Sequence, residues 1–211
     1  MATIAIIGGH GQIALQTARE LLAGGHEVRS VIRNPEHVSD IEATGATAVI
    51  VDIETATAFQ LVTAIGDVDT IIFAAGAGPD SGPARKETVD HQGAIKALEA
   101  AEVIGARLLV ISYIGADEPA TGEESWVAYQ AAKKAADDAV RASDVDWTIV
   151  RPGNLNDEPR TALVTIAEDA SGTTSRANVA ALLALLSTSH PAPGRVLNVI
   201  DGDTPIELAI S

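Results

Sequence analysis

The stretch Thr3-Ile4-Ala5-Ile6-Ile7-Gly8-Gly9-His10-Gly11-Gln12-Ile13-Ala14 decides how the rest of the chain reads. An apolar run of strand length ends at Gly8, and beyond the glycines Ile13, Thr17, Ala18, Leu21 and Leu22 recur at helical spacing. The period changes at the glycines, so a buried strand feeds through a tight turn into a helix. Gly8-x-x-Gly11-x-x-Ala14 and Gly9-x-Gly11-x-x-Ala14 both fit the turn. Backbone N–H groups at such a turn can be approached closely, and the helix N-terminus behind them favours negative charge, which makes the stretch a phosphate cradle.

The second register is the dinucleotide fingerprint with alanine in its last place. Gly8 or Gly9 makes the sharp turn, Gly11 leaves room for phosphates and Ala14 lets the helix pack closely on the sheet. An ordinary strand-to-helix turn is the alternative; the placement after a strand and before a helix favours the cofactor.

Working outward, strands read at 27–33, 47–51, 69–74, 107–112, 147–152 and 195–200, with a first helix stopped by Gly24-Gly25-His26 and further helices at 36–44, 55–65, 85–104, 124–142 and around Val179 to Leu186. A loop with Pro79, Ser81 and Pro83 precedes the long fourth helix, and an apolar segment spans 162–167. Fully apolar strands alternating with helices predict an α/β fold with a doubly wound parallel sheet of Rossmann type. The 211 residues, 46% of them hydrophobic, suit a single domain over 1–211 with a substrate pocket built from its C-terminal loops.

The chain carries 29 acidic and 14 basic residues, a net charge of −15, which repels nucleic acid and anionic membrane. The same field opposes a dinucleotide phosphate, so a site for one must carry local cations. Cysteine is absent, which removes disulfides and thiolate chemistry. No signal peptide and no apolar run approaching the ~18 residues of a membrane span are seen, so a cytoplasmic protein is the expectation. The expected partner is a small-molecule substrate, without nucleic acid or membrane; a homo-oligomer is compatible with the reading.

In the NAD version of the fold an acidic residue closes the second strand and bonds the ribose 2′-hydroxyl. Here that place is held by Arg33, with no carboxylate evident to repel a 2′-phosphate, so NADP is the expected cofactor. A surface charge before a turn is the alternative for Arg33. Arg29 shares its face of the strand, either assisting or solvated. Asp52, ending the third strand, is placed to meet the adenine or to cap a helix.

Tyr129 and Lys133, four residues apart on a helix, put phenol and ammonium on one face, and spacing alone leaves a solvated helix face as the alternative to a catalytic pair. The expectation is that the ammonium lowers the phenol's pKa from near ~10 toward a range useful for proton transfer, with Ser112 holding a carbonyl.

With these residues in place the chain resembles the short-chain dehydrogenase/reductase superfamily, and more closely its atypical single-domain NAD(P)-binding members, described as epimerase/dehydratase-like or NmrA-like. The resemblance rests on Gly8 to Gly11, Val31-Ile32-Arg33-Asn34-Pro35, Phe73-Ala74-Ala75-Gly76, Ser112-Tyr113-Ile114-Gly115, Tyr129 to Lys133 and Thr148 to Gly153. It implies a catalytic set of Ser112, Tyr129 and Lys133, with Asp90 where the superfamily usually has Asn. It implies a cofactor held by Gly8, Gly9, His10, Gly11, Gln12 and Ile13, then by Arg33, Asp52 and Ile53. Ala75, Gly76 and Lys133 continue that set, with Pro152 and Gly153 near the nicotinamide. A carboxylate at Asp90 is expected to hold Lys133 charged.

The five histidines show no metal-ligand spacing, so no metal is expected. His10 either lines the cofactor or is an exposed turn residue, and His91 faces either the cleft or solvent. Trp126 and Trp147 read as packing residues, while Asn154, Asn156 and Arg160 line either a substrate pocket or a solvated loop. These residues together describe an NADP-dependent oxidoreductase moving hydride to or from a small carbonyl or alcohol. The rivals are a sugar epimerase/dehydratase and a non-catalytic NADP(H)-binding redox sensor.

Overall fold

The computed structural model describes residues 1–78 and 81–210, so Pro79 lies outside the described residues. The first half runs β1 (Thr3–Ile7), α1 (Gln12–Ala23), β2 (Glu27–Ile32), a 3-10 turn (Pro35–His37), α2 (Val38–Glu42), β3 (Thr47–Ile50), α3 (Ala58–Ile65) and β4 (Thr70–Phe73). Then come α4 (Pro83–Arg85), a π-helical turn (Lys86–His91), α5 (Gln92–Ile104), β5 (Arg107–Ile111), α6 (Glu124–Arg141) and β6 (Trp147–Pro152). The chain continues through β7 (Asn154–Asn156), β8 (Leu163–Ile166), β9 (Thr173–Ser175), α7 (Arg176–Ser189), β10 (Arg195–Asp201), β11 (Thr204–Pro205) and α8 (Ile206–Ala209).

One sheet has the order β3-β2-β1-β4-β5-β6-β10-β8-β11, and β7 pairs with β9 beside it. From β3 to β10 every pairing is parallel, as expected of strands linked by helices. The parallel sheet that was expected is present, and at one edge it carries antiparallel strands that the sequence reading did not place. There β8 runs antiparallel to β10, and β11 antiparallel to β8. In β8 only Val164 is fully buried while Thr165 faces out, the half-covered character that an antiparallel edge strand tolerates.

Strand alternation sends side chains to two cores. Ile4, Ile6, Ile72 and Leu109 meet Ala14, Ala18 and Leu21 of α1 and Leu182, Leu183 and Leu186 of α7. Ala5, Ile7, Ile71 and Phe73 meet Leu61 and Ile65 of α3, Ala94 and Ala97 of α5, and Ala136 and Val140 of α6. Because β1 has β2 on one side and β4 on the other, the sheet reverses its order there, and a crevice opens beyond the carboxyl ends of β1 and β4.

Two helix boundaries differ from the periodicity, each for a local reason. The Asp52 side chain accepts from the Glu54 amide at 3.0 Å and holds 52–55 as a turn. The third helix therefore starts at Ala58, behind the reciprocal Thr57/Gln60 cap. The expected single helix at 85–104 is widened into a π-turn over Lys86–His91, which buries Lys86, Val89 and Asp90. No helix among the described residues is long and apolar enough to cross a membrane.

Candidate functional site

At the crevice, the glycine turn is wedged between its neighbours. Gly8 has φ +85°, and a Cβ there would lie 2.6 Å from the Ala75 Cα; a Cβ on Gly9 would lie 2.6 Å from the Ser30 Cβ. Both amides donate to the Val31 carbonyl, at 3.1 and 2.9 Å. Gly11 caps α1 with no side-chain hydrogen bond and no acidic residue follows in the first turn, so the N–H groups there are uncapped by side chains. A Cβ on Gly11 would meet only the Gly8 carbonyl oxygen at 3.3 Å, and so would fill the cradle itself. This cradle fits a pyrophosphate.

A chamber of about 350 Å³ opens on one side of the turn. It gathers Gly8, His10, Gly11, Arg33, Asp52, Ile53, Ala75 and Gly76, all expected, together with His37, Glu54 and Arg85, which the sequence reading did not single out. The expectation that no carboxylate stands at Arg33 is wrong. The Glu54 carboxylate accepts from Arg33 Nη1 at 3.0 Å, from Arg85 Nη2 at 2.9 Å and from the Thr88 hydroxyl at 2.7 Å. Arg85, then Thr88 and Arg33, holds its carboxyl below the usual range against the opposing effect of burial. Arg29 takes no part in this chamber, since its guanidinium donates to the carbonyls of Ile65 and Asp67 at the end of α3.

On the other side a chamber of about 620 Å³ is lined by Gln12, Ile13, Asp90, Ser112, Tyr129 and Lys133. The two chambers share Gly11, Ala74, Ala75 and Gly76 in their walls and so adjoin at the glycine turn. Asp90, almost fully buried, accepts from the Ala77 amide at 3.1 Å and grips the turn after β4. Burial raises its pKa, with Lys133, the Ala77 amide, Lys86 and Arg85 opposing.

The proton-transfer set has a different electrostatic balance from the one expected. Burial, then the charge of Asp90, Tyr113 and Asp137, pushes the Tyr129 phenol upward, not downward. Lys133 is buried and donates to the Ile111 carbonyl at 2.5 Å. Burial lowers its pKa, while the carboxylates of Asp137 and then Asp90 favour its charged form, the direction expected of Asp90. The Ser112 hydroxyl donates to Asp137 at 2.8 Å.

Asp137, fully buried, also accepts from Arg151 Nε at 3.0 Å and Nη2 at 2.8 Å, and Arg151 reaches on to Asp117 at 2.7 and 3.1 Å. This network was not legible beforehand. Arg151 sat in a recognised strand motif, and Asp137 lies four residues beyond Lys133 on the same face of α6. That spacing is the only local signal.

Pro152 and Gly153 do not line either chamber; the Gly153 amide donates to Thr174 and Val199, each at 3.0 Å. His91 contacts Glu87 at 2.9 Å, and Arg160 pairs with Glu20 at 3.2 Å. Of the segment after β6, Leu155 lines the larger chamber and Asn154 and Asn156 do not. Trp126 is half-exposed and stacks on Tyr129 with centroids 5.1 Å apart, so it forms a chamber wall, while Trp147 packs against the core. Lys86 and Arg176 line this chamber and were missed. Among the described residues no three or more His, Cys, Asp or Glu are grouped as a metal site.

With this geometry in hand, the profile of a family of NAD(P)H-binding proteins matches residues 8–189. The uncharacterized sugar epimerase YhfK of Bacillus subtilis is 34% identical over 209 residues, 97% of each chain. The UPF0659 protein C216.03 of Schizosaccharomyces pombe is 32% identical, across 100% of this chain and 94% of its own. Among solved structures, a provisionally described NAD-dependent epimerase/dehydratase from Bacillus halodurans is similar with TM-score 0.90 and 31% identity over 99% of both chains. The oxidoreductase ylbE from Lactococcus lactis follows with TM-score 0.87 and 26% identity, over 99% of this chain and 94% of its own.

Proposed function

The chain belongs to the NAD(P)H-binding family, and from that premise we propose that it is an NADP(H)-dependent oxidoreductase of the atypical short-chain dehydrogenase/reductase type. Its substrate is a small carbonyl or alcohol. The observation that carries this reading is the pair of adjoining chambers, with guanidinium groups in one, a phenol, a hydroxyl and an ammonium in the other, and the glycine cradle between them.

Gly8 to Gly11 and the first turn of α1 hold the pyrophosphate, and Arg33 with Arg85 faces the ribose 2′-phosphate. A bound nicotinamide supplies or accepts the hydride. Tyr129 stays protonated near neutral pH, because burial, then Asp90, Tyr113 and Asp137, disfavours the phenolate, and it donates its proton to the substrate oxygen. The hydroxyl proton of Ser112 is committed to Asp137, which leaves its lone pairs to accept from a substrate hydroxyl. Of the three donors on Lys133 one is spent on Ile111, and the others serve the ribose. Trp126 and Leu155 give the substrate end an apolar wall.

NADPH consumption against a panel of small quinones, aldehydes and ketones tests the proposal. Tyr129→Phe is expected to lower kcat on the order of 10²-fold or more while NADPH affinity stays within about twofold, the signature of a lost proton donor. Unchanged turnover in that variant would overturn the assignment. Epimerase chemistry is the second reading, favoured by the name of the Bacillus subtilis relative. It predicts substrate conversion with no net cofactor oxidation.

A further inference from the structure

We propose that His10 and His37 complete the 2′-phosphate site, so that the preference for NADP(H) over NAD(H) is coupled to proton uptake. The inference rests on the reading that a dinucleotide lies in this groove.

The two imidazoles stack face to face, 3.6 Å between centroids and 12° between planes. One comes from the glycine turn and the other from the 3-10 turn after β2, and both line the chamber that holds Arg33. His10 Nε2 lies 2.8 Å from the Asp40 carboxylate on α2, which fixes the ring and leaves Nδ1 as its uncommitted nitrogen.

Charge bookkeeping in the chamber explains why two arginines do not suffice. Arg33, just after β2, and Arg85 from α4 face Asp52 and Glu54 from the segment after β3, and Glu54 already bonds both guanidiniums. Asp40 adds a further negative charge beside His10, while Glu36 on the 3-10 turn is engaged by the Asn34 side chain. With neutral imidazoles the site therefore offers no net positive charge, yet a phosphate monoester carries about −1.5 to −2 at pH 7. Imidazole is the side chain that gains charge most readily near that pH. Asp40 already stands beside His10, and two stacked imidazolium rings repel each other, so a second charge on His37 needs a second anion beside the pair; the 2′-phosphate is that anion. NADH lacks the group and makes no such demand.

The sign follows. Raising pH removes the proton and weakens NADPH alone. Below the second ionisation of the phosphate, near ~6, the ligand loses charge as well, so the informative window lies above it.

The experiment is titration of the wild-type protein with NADPH and with NADH from pH 6.5 to 8.5 at constant ionic strength. It is repeated by calorimetry in two buffers of different ionisation enthalpy, and on His10→Asn/His37→Gln. The wild-type NADPH advantage over NADH is expected to fall roughly tenfold across these two pH units, with about half a proton taken up per NADPH on average, and to be flat in the double variant. A constant ratio in wild type, or an unchanged slope in the variant, overturns the histidine assignment and leaves the function proposed above intact. Failure of both nucleotides to bind overturns both.

Discussion

Glu54 shows how one residue can reverse a reading made from its neighbours. Arg33 was legible from the sequence because its place at the end of the second strand is defined locally. Its counter-charge was not, since Glu54 and Arg85 arrive from other elements and only the folded chain brings the three together. Replacing Glu54 by Gln removes a negative charge from the chamber while keeping most of its hydrogen-bonding capacity. NADPH affinity should then rise about tenfold, or ~1.4 kcal/mol, with NADH affinity changed much less. Titration of both nucleotides against the variant checks this, and equal gains for the two would place the phosphate elsewhere. Tyr129 carries the same lesson. Its spacing from Lys133 was readable, but the direction of its pKa was not, because that depends on burial and on carboxylates from the π-turn and from deeper in α6.

Among the elements, strands and the glycine turn were legible because apolar runs and a change of period are local signals. The π-turn was not, since nothing between Lys86 and His91 breaks a helix. What forms there serves packing and the groove together, burying Asp90 under the turn after β4. The Asp117–Arg151–Asp137 chain likewise joins the loop after β5, β6 and α6, and it holds Ser112 at its inner end. Arg151 and Arg141 keep the Asp117 carboxyl well below its usual range. Its contribution to stability is therefore fully present above the unfolded-state value of ~3.9 and is lost as pH falls through the lower folded value. About half of the Asp117 side chain is exposed, so screening keeps the effect modest. Asp117→Asn should lower Tm at pH 7 by a few degrees, and the gap from wild type should narrow as pH falls from ~5 toward ~2. Thermal melts across that range check it; a gap independent of pH would contradict the ion-pair account.

For the whole molecule, the alternation of apolar strands with helices was enough to read a doubly wound sheet, because parallel strands covered on both faces require that pattern. The antiparallel edge escaped because β8 and β11 are short and only partly covered, and their pairing is set by where α7 returns the chain. A net charge of −15 sets the backdrop for function: it opposes an anionic dinucleotide, and in the chamber at Arg33 the two guanidiniums are already met by Asp52 and Glu54, so the stacked imidazoles there decide the local balance. The most direct test of the account is an equilibrium fluorescence titration of wild type and Arg33→Ala with NADPH and NADH at pH 6.5. Wild type should bind NADPH at least about tenfold more tightly than NADH, and the preference should collapse in Arg33→Ala with NADH affinity retained. Equal affinities in wild type, or no binding of either nucleotide, would contradict the central claim.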